Sequence, residues 1–547
     1  MSTNLPHQSR FSRRVFMKII PLALLGIFSV GFGLSKLFSP KLAKKFKGKI
    51  KGGNAKIGHM MRMGNFPLAT EFESLDTIIV GGGMSGLSAG WWLQKHNHTN
   101  FLVLELDQKV GGNSQSDENE VSTYPWGAHY IPLPGPEAIY VRELFEELGV
   151  IKGYKEKLPI YDEFYLCSDP NERIYFQGKW HAGLFPESGA SSEDIQQRNE
   201  FLAFMKEMSL RKGRDGKRAM AIPIDLSSED EDIRKLDLMS MSDFMKEKGW
   251  SSKYLLWYVN YCCRDDYGQT AEQVSAWSGI HYFAARSGKA ANSGNETVLT
   301  WPEGNGWLVQ KIQEKFPGKI RKNALVHKIE KKDDQFLVTY FDVDQKISHA
   351  IRARNVIYAA PRFTAKYIID KSVGKIHDPK INYVPWMVAN ITVNQKPEGA
   401  GEDLAWDNVS YYSKSLGYIV STHQTLETLR QKTVLTYYLP LNDHAPIIER
   451  RLALERDHTY WANLVSEDLE KMHPGIKETI MSIDVWVWGH GMVGPGVNFL
   501  WSPERAKMLE SMGNLHFAHS DMSGISIFEE AQYRGVMAAK KVLEFGI

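Results

Sequence analysis

The sequence predicts an α/β protein whose folded body opens on a dinucleotide-binding unit, and three observations carry that expectation. A short β-branched apolar run, Asp76-Thr77-Ile78-Ile79-Val80, leads directly into Gly81-Gly82-Gly83-Met84-Ser85-Gly86 and then into the helix-like Leu87–Leu93. A second apolar run, Phe101–Leu104, ends on Glu105, 24 residues after Gly81. The composition is globular: 547 residues, 43% hydrophobic, 12% aromatic and 24% charged, too apolar for a disordered or collagen-like chain. At roughly 150 residues per domain the length allows about three domain-sized units, or one interleaved pair of large ones.

Each part of this strand–glycine–helix–strand unit has a physical task. Gly81, Gly83 and Gly86 permit the tight turn and let main chain approach a pyrophosphate. Met84 and Ser85 open the helix whose positive N-terminal end would hold that charge. Glu105 is placed to accept hydrogen bonds from a ribose diol. Six and seven residues beyond it stand Gly111 and Gly112, followed by Asn113.

The spacing Glu-x5-Gly-Gly resembles the second element of the flavin fingerprint in the amine oxidase and phytoene desaturase superfamily, which implies FAD as the cofactor. Two further segments extend the resemblance. The strand-like runs 324–330, 336–340 and 356–361 look like the family's middle return to its FAD domain, with Val326 touching the nucleotide through its backbone. Near the C-terminus, Leu515–Asp521 and Phe528-Glu529-Glu530-Ala531 resemble the closing FAD segment, with Asp521 in place of the acid that holds the ribityl or pyrophosphate region and Phe528 beside the ring. The implied fold is a Rossmann-like FAD-binding domain built from residues 71–119, 301–361 and 486–547, with an α+β substrate domain inserted as 120–300 and 362–485. Departures are visible too. Asn113 stands where many members have Arg, His519 and Glu530 where they have Gly, and Ile527 where amine oxidases often set an aromatic ring.

The charge balance divides the chain. Of 66 basic residues, 13 lie in the first 70 positions, which hold no Asp or Glu; the remainder has 53 basic against 64 acidic residues. An acidic body repels phosphate polymers, so nucleic acid is not expected as a partner. Ser12-Arg13-Arg14-Val15-Phe16-Met17-Lys18, followed by the apolar stretch 19–38, resembles a twin-arginine export signal. It implies a twin-arginine translocase partner and a periplasmic location, with the uncleaved signal as a possible membrane anchor. Residues 39–70 are expected to form a basic, solvated tether.

Three cysteines, two of them adjacent at Cys262 and Cys263, make no disulfide framework, and no motif predicts a metal site. A second glycine pattern, Gly489–Gly494, is followed by Pro495, which spoils a phosphate-binding helix, so a loop near the flavin or substrate pocket is expected there. Within it His490, polar among glycines, is the single catalytic candidate. Around it Trp486, Trp488, Phe499 and Trp501 either flank the ring or pack the core. The paired carboxylates Asp265-Asp266 read as a solvated turn or helix end, with a grip on a cationic substrate as the rival reading. The resemblance then implies an FAD-dependent oxidoreductase that oxidises an amine or related small molecule, with oxygen or a membrane quinone as acceptor. C–C desaturation of the phytoene desaturase or protoporphyrinogen oxidase type, and a flavin-bearing scaffold without turnover, stand as alternatives.

Overall fold

A computed structural model describes residues 45–52, 55–294, 297–378, 380–425 and 430–544. The export signal or anchor expected at 1–38 lies outside the described residues. The described part of the tether is not solvated chain: Ile50–Gly52 forms a strand (β1) and Ala55–Met63 a helix (α1) on the body. The reason is local fit. Phe46 is buried, and a Cβ on Gly52 would lie 1.8 Å from the Trp486 ring, so only glycine lets the strand seat flush.

The next strand, β2 (Ala69–Val80), is followed by a helix, α2 (Met84–Lys95), and a strand, β3 (Phe101–Leu104). Ile78, Ile79 and Val80 are buried on both faces, which is why this run reads as continuously apolar rather than alternating. Much later, β4 (Ile347–Tyr358) pairs parallel with β2, and β6 (Leu515–Phe517) pairs parallel with β4. With strands 320–321, 324–332 and 335–342 they complete a seven-stranded sheet, so the first sheet draws on three separated stretches of the chain.

A second, eight-stranded sheet runs β1, β5 (Ile480–Val493), 383–393, 433–440, 418–420, 407–410, 172–176 and 179–182. Because β5 pairs along its length with 383–393, the domain boundary expected at 485/486 falls inside a strand of the substrate sheet. Helices of the inserted part, including α3 (Lys253–Tyr267), pack beside this sheet. The chain closes on α4 (Phe528–Glu544), which lies along α2.

Two glycines hold α2 in place, one against its own turn and one against α4. A Cβ on Gly86 would sit 1.9 Å from the Gly81 carbonyl oxygen, and one on Gly535 would sit 2.1 Å from that of Ser85. Gly535→Ala is expected to force α4 off α2 at a cost of about 1–3 kcal/mol or more, read as a lowered thermal midpoint together with weaker flavin retention.

Candidate functional site

A cavity of about 930 Å³ runs along the C-terminal ends of β2 and β3. Gly81, Gly83, Met84, Ser85, Glu105, Gly111, Gly112, Asn113, Val326, Phe528 and His490 all line it, so most of the expected cofactor residues meet at one void. Gly81 adopts φ +103°, and a Cβ on Gly83 would meet no protein atom because it would project into the cavity. The first turn of α2 carries no side-chain cap, and the buried Ser85 hydroxyl has no hydrogen-bond partner. Uncapped N–H groups and an orphaned hydroxyl at a helix N-terminus are the complement of a phosphate. The residues present therefore fit the pyrophosphate of a dinucleotide.

Glu105 accepts the backbone N–H groups of Gly82 at 2.6 Å and Asp107 at 2.8 Å, and burial pushes its carboxyl up to about 7. Gly86 stands behind the loop rather than in the wall. Asp521 also lies behind the wall, which His519 and Ser520 form. Its Oδ2 accepts the Arg362 N–H at 2.7 Å and the Tyr383 hydroxyl at 2.6 Å, and its Oδ1 lies 3.0 Å from His519 Nδ1. The role expected of Asp521 passes to those neighbours, which it positions. Asn113 reaches across the cavity to donate to the Gly491 carbonyl.

The second glycine pattern is strand, not loop: Gly489–Val493 is the end of β5. A Cβ on Gly491 would lie 2.8 Å from the Trp386 ring, so its glycine serves close passage between strands. His490 stacks on Phe363 at 4.2 Å, and burial, reinforced by Arg450, Arg62 and His59, drops its pKa to about 3. A neutral imidazole held in that stack lines the cavity wall and is not a general acid at neutral pH. Trp488 faces the cavities, whereas Trp486 packs on Trp126 and the pair Phe499 and Trp501 joins a separate core around Trp277.

A smaller cavity of about 160 Å³ adjoins the first. Asn113, Ala128, Trp488, Gly491, Met492, Ser526, Ile527 and Phe528 line both. Its walls are aromatic, with Tyr130, Tyr261, Tyr282, Trp386 and Tyr438, the last stacked on His129 at 4.6 Å. Four acids line the same small space: Asp265, Asp266, Asp407 and Glu529. The expected helix end at 265–266 is present, but it faces a cavity and not solvent. These residues form the last turn of α3, which Gly268 closes at φ +67° by turning the chain inward. Carboxylates at a helix C-terminus oppose its dipole, so the position is costly.

One charge is balanced: Arg286 ion-pairs with Asp266 and lies over the Tyr282 ring at 4.1 Å. Among the described residues neither Asp265, Asp407 nor Glu529 has a cationic side chain within ion-pairing distance. Burial pushes Asp265 and Glu529 up to about 7, and raises Asp407 well above the carboxylate range with Asp265 adding to the shift. Asp407, Arg286 and Tyr438 carry no local sequence signal; they converge only through tertiary structure. The cysteines at 262 and 263 are buried thiols whose pKa burial raises, so they are not poised for redox chemistry.

A family model described as flavin containing amine oxidoreductase matches residues 84–543. Flavin-containing amine oxidase A of Canis lupus familiaris is 24% identical over 311 residues, covering 54% of this chain and 51% of that protein. Chloroplastic protoporphyrinogen oxidase 1 of Spinacia oleracea is 23% identical over 380 residues, covering 65% and 62%. The chain spans about half the length of the amine oxidases it matches. Among solved structures, putrescine oxidase bound to putrescine superposes with a TM-score of 0.60 at 14% identity, over 86% of this chain and 100% of that one. Cyclohexylamine oxidase from Brevibacterium oxydans gives 0.60 at 15%, over 86% and 99%. These superpositions show a shared fold.

The raised acids have a stability consequence. Glu529 binds a proton in the folded state up to about pH 7 but in the unfolded chain only to about 4.3. Its stabilising contribution is therefore complete below pH 4 and is lost as pH rises through 7, with a slope of at most about 1.4 kcal/mol per pH unit. Thermal midpoints of the cofactor-free protein between pH 5 and 8 should fall for wild type and fall less steeply for Glu529→Gln.

Proposed function

The chain belongs to the flavin-containing amine oxidoreductase family, and from that premise we propose that it oxidises an amine taken up as a dication or polycation, with FAD as its redox cofactor. The observation that carries this reading is the set of acids Asp265, Asp407 and Glu529, none of them ion-paired among the described residues, in an aromatic cavity that adjoins the dinucleotide cavity. When bound, FAD accepts two electrons and a hydrogen from the substrate carbon.

The chain's own residues prepare the substrate. Asp265 and Glu529 attract a protonated nitrogen when ionised, burial holds Asp407 in its protonated form, and the faces of Tyr438 and Trp488 add cation–π attraction. Burial keeps water from screening these interactions. Carboxyls that titrate near 7 are also suited to hold the proton that the reacting nitrogen must release before its neighbouring carbon is oxidised. Ile527 leaves the cofactor-side wall aliphatic, and the aromatic walls come from the second sheet instead. Putrescine oxidase, whose solved structure holds a diamine, shares this fold and supports the same substrate class. Apolar or anionic substrates of a desaturase or porphyrinogen oxidase would meet the same acids without charge compensation, which disfavours that alternative.

The signal-like segment at 12–38 supports export by the twin-arginine translocase to the periplasmic side of the cytoplasmic membrane. Electrons then leave to oxygen or to a membrane quinone.

The direct test is spectroscopic. Anaerobic addition of putrescine, a polyamine or a simple monoamine to the purified yellow protein should bleach the flavin bands fastest with the di- and polyamines. A colourless protein with no extractable FAD, or bleaching by carotenoid precursors alone, overturns the reading. Asp265→Asn should raise KM for a diamine about 10–100-fold with a smaller effect on kcat, the scale of a lost charge-assisted hydrogen bond. Wild-type KM should rise as pH falls from 8 to 6, because protonation removes the anionic partner while the amine stays charged. In Asp265→Asn that slope should flatten.

A further inference from the structure

The dinucleotide cavity has a wall that the matched family segment does not contain. Residues 84–543 carry the family match, yet Ile50, Gly52, Ala55, Gly58, His59, Met61 and Arg62 line the void. This stretch is docked, not draped. Gly48, at φ +124°, has its Cβ position 1.9 Å from the Ile483 carbonyl oxygen. Lys51 pairs with Asp117 at 3.1 Å and Asp484 at 3.4 Å, joining β1 to both the flavin-side and the substrate-side segments. From there α1 crosses the mouth of the cavity, with Gly58 against Leu106, the residue after Glu105, and Met61 against the core that holds Val326.

The charges on this wall are unbalanced. Arg62 faces the cavity together with Arg450, whose Nη1 donates to the Tyr383 carbonyl at 2.8 Å. Burial and the proximity of Arg62 both disfavour the charge of Arg450. Like charges on one cavity wall repel and are costly unless an anion lies between them. Glu105, at the nucleoside end, is held by backbone N–H groups, Glu455 lies at the rim, and Arg62 lies over the Tyr367 ring at 5.6 Å. Meanwhile Asn113, in the place where relatives carry a cation after the glycine pair, is engaged with Gly491.

We propose that β1 and α1 are part of the cofactor site, and that Arg62, with Arg450 opposite, supplies the cationic contact to the phosphates of the bound dinucleotide that Asn113 does not make. The inference rests on the FAD reading above and extends the site to a segment outside the family match. Arg62 is then a binding residue whose removal weakens cofactor retention without altering the fold, since its side chain is exposed on a surface helix.

The test is titration of cofactor-free protein with FAD, followed by quenching of flavin fluorescence, in wild type, Arg62→Ala, Arg62→Lys and Lys56→Ala. Lys56 lies on the same helix, is exposed and is absent from the cavity wall, so its variant removes the same charge from the wrong face. The expected result is an FAD dissociation constant raised about ten-fold or more by Arg62→Ala, partly restored in Arg62→Lys, unchanged in Lys56→Ala, and converging on wild type at high salt. Equal affinities for Arg62→Ala and Lys56→Ala overturn the inference while leaving the FAD reading intact. Failure of wild type to bind FAD overturns that reading itself. A parallel sedimentation with phosphatidylglycerol vesicles covers the rival role of the basic rim: vesicle binding lost in Arg62→Ala with FAD affinity unchanged assigns Arg62 to a lipid surface and overturns the inference.

Discussion

The structure depends on one close approach, that of α4 to α2. With Gly86 on the Gly81 carbonyl and Gly535 on the Ser85 carbonyl, α2 is held between its own glycine turn and α4 at distances that no side chain permits. That clamp fixes where the α2 N-terminus points, and the N–H groups there, with no side-chain cap, add positive potential to the cavity wall. It also explains why the chain must return at its end. Residues over 400 positions apart complete one binding surface, since Ser526, Ile527 and Phe528 leave the α4 entry facing both cavities.

A second constraint sorts charge. The two cavities share the wall made by Asn113, Trp488 and Gly491, yet they carry opposite signs. The larger one has arginines and the α2 start, which carries no side-chain cap, in its walls, and the smaller one gathers acids, two of them in the last turn of α3. Under the function proposed, a dinucleotide, anionic at its phosphates, suits the first compartment and a cationic amine the second. β5 stands between them, and its glycines let it run against Trp386 without filling the passage.

The βαβ start was legible because its signals are local: an apolar strand, glycines at a fixed spacing and an acid at the right distance. The first two middle strands were legible for the same reason, at 324–332 and 335–342, whereas the third runs over 347–358 and not 356–361, because its first half pairs with 335–342 and β2. The substrate cavity was not. Asp265 and Asp266 look like a surface turn because their burial comes from Gly268 turning the chain inward and from strands 383–393 and 407–410 arriving over a hundred residues later. Asp407 and Arg286 have no neighbours in sequence that mark them. The segment 45–63 misleads for a related reason. Lysine and glycine are the residues of a tether, but here glycine is what allows contact with Trp486 and Ile483, and Lys51 is spent on two buried-side carboxylates.

The departures from the family pattern bear on whether this is an enzyme or a scaffold, since absent positions are the motive for the scaffold reading. Each replacement has a structural employment. Glu530, in the place of a glycine, accepts the Ile224 N–H at 2.5 Å, and one turn later Arg534 holds Asp225 by two hydrogen bonds at 2.6 and 2.7 Å. That clasp ties α4 to the segment containing Ile222, which lines the acidic cavity, so the added charges join cofactor helix and substrate floor. His519 faces Asp521, which in turn carries the Arg362 N–H and the Tyr383 hydroxyl at the base of the phosphate cavity. Asn113 links the glycine pair to β5. A site decaying toward a scaffold loses its costly features first, because nothing maintains them. Here three acids with no ion-pair partner among the described residues remain in an aromatic cavity, a costly arrangement that fits the entry of a cation under the function proposed.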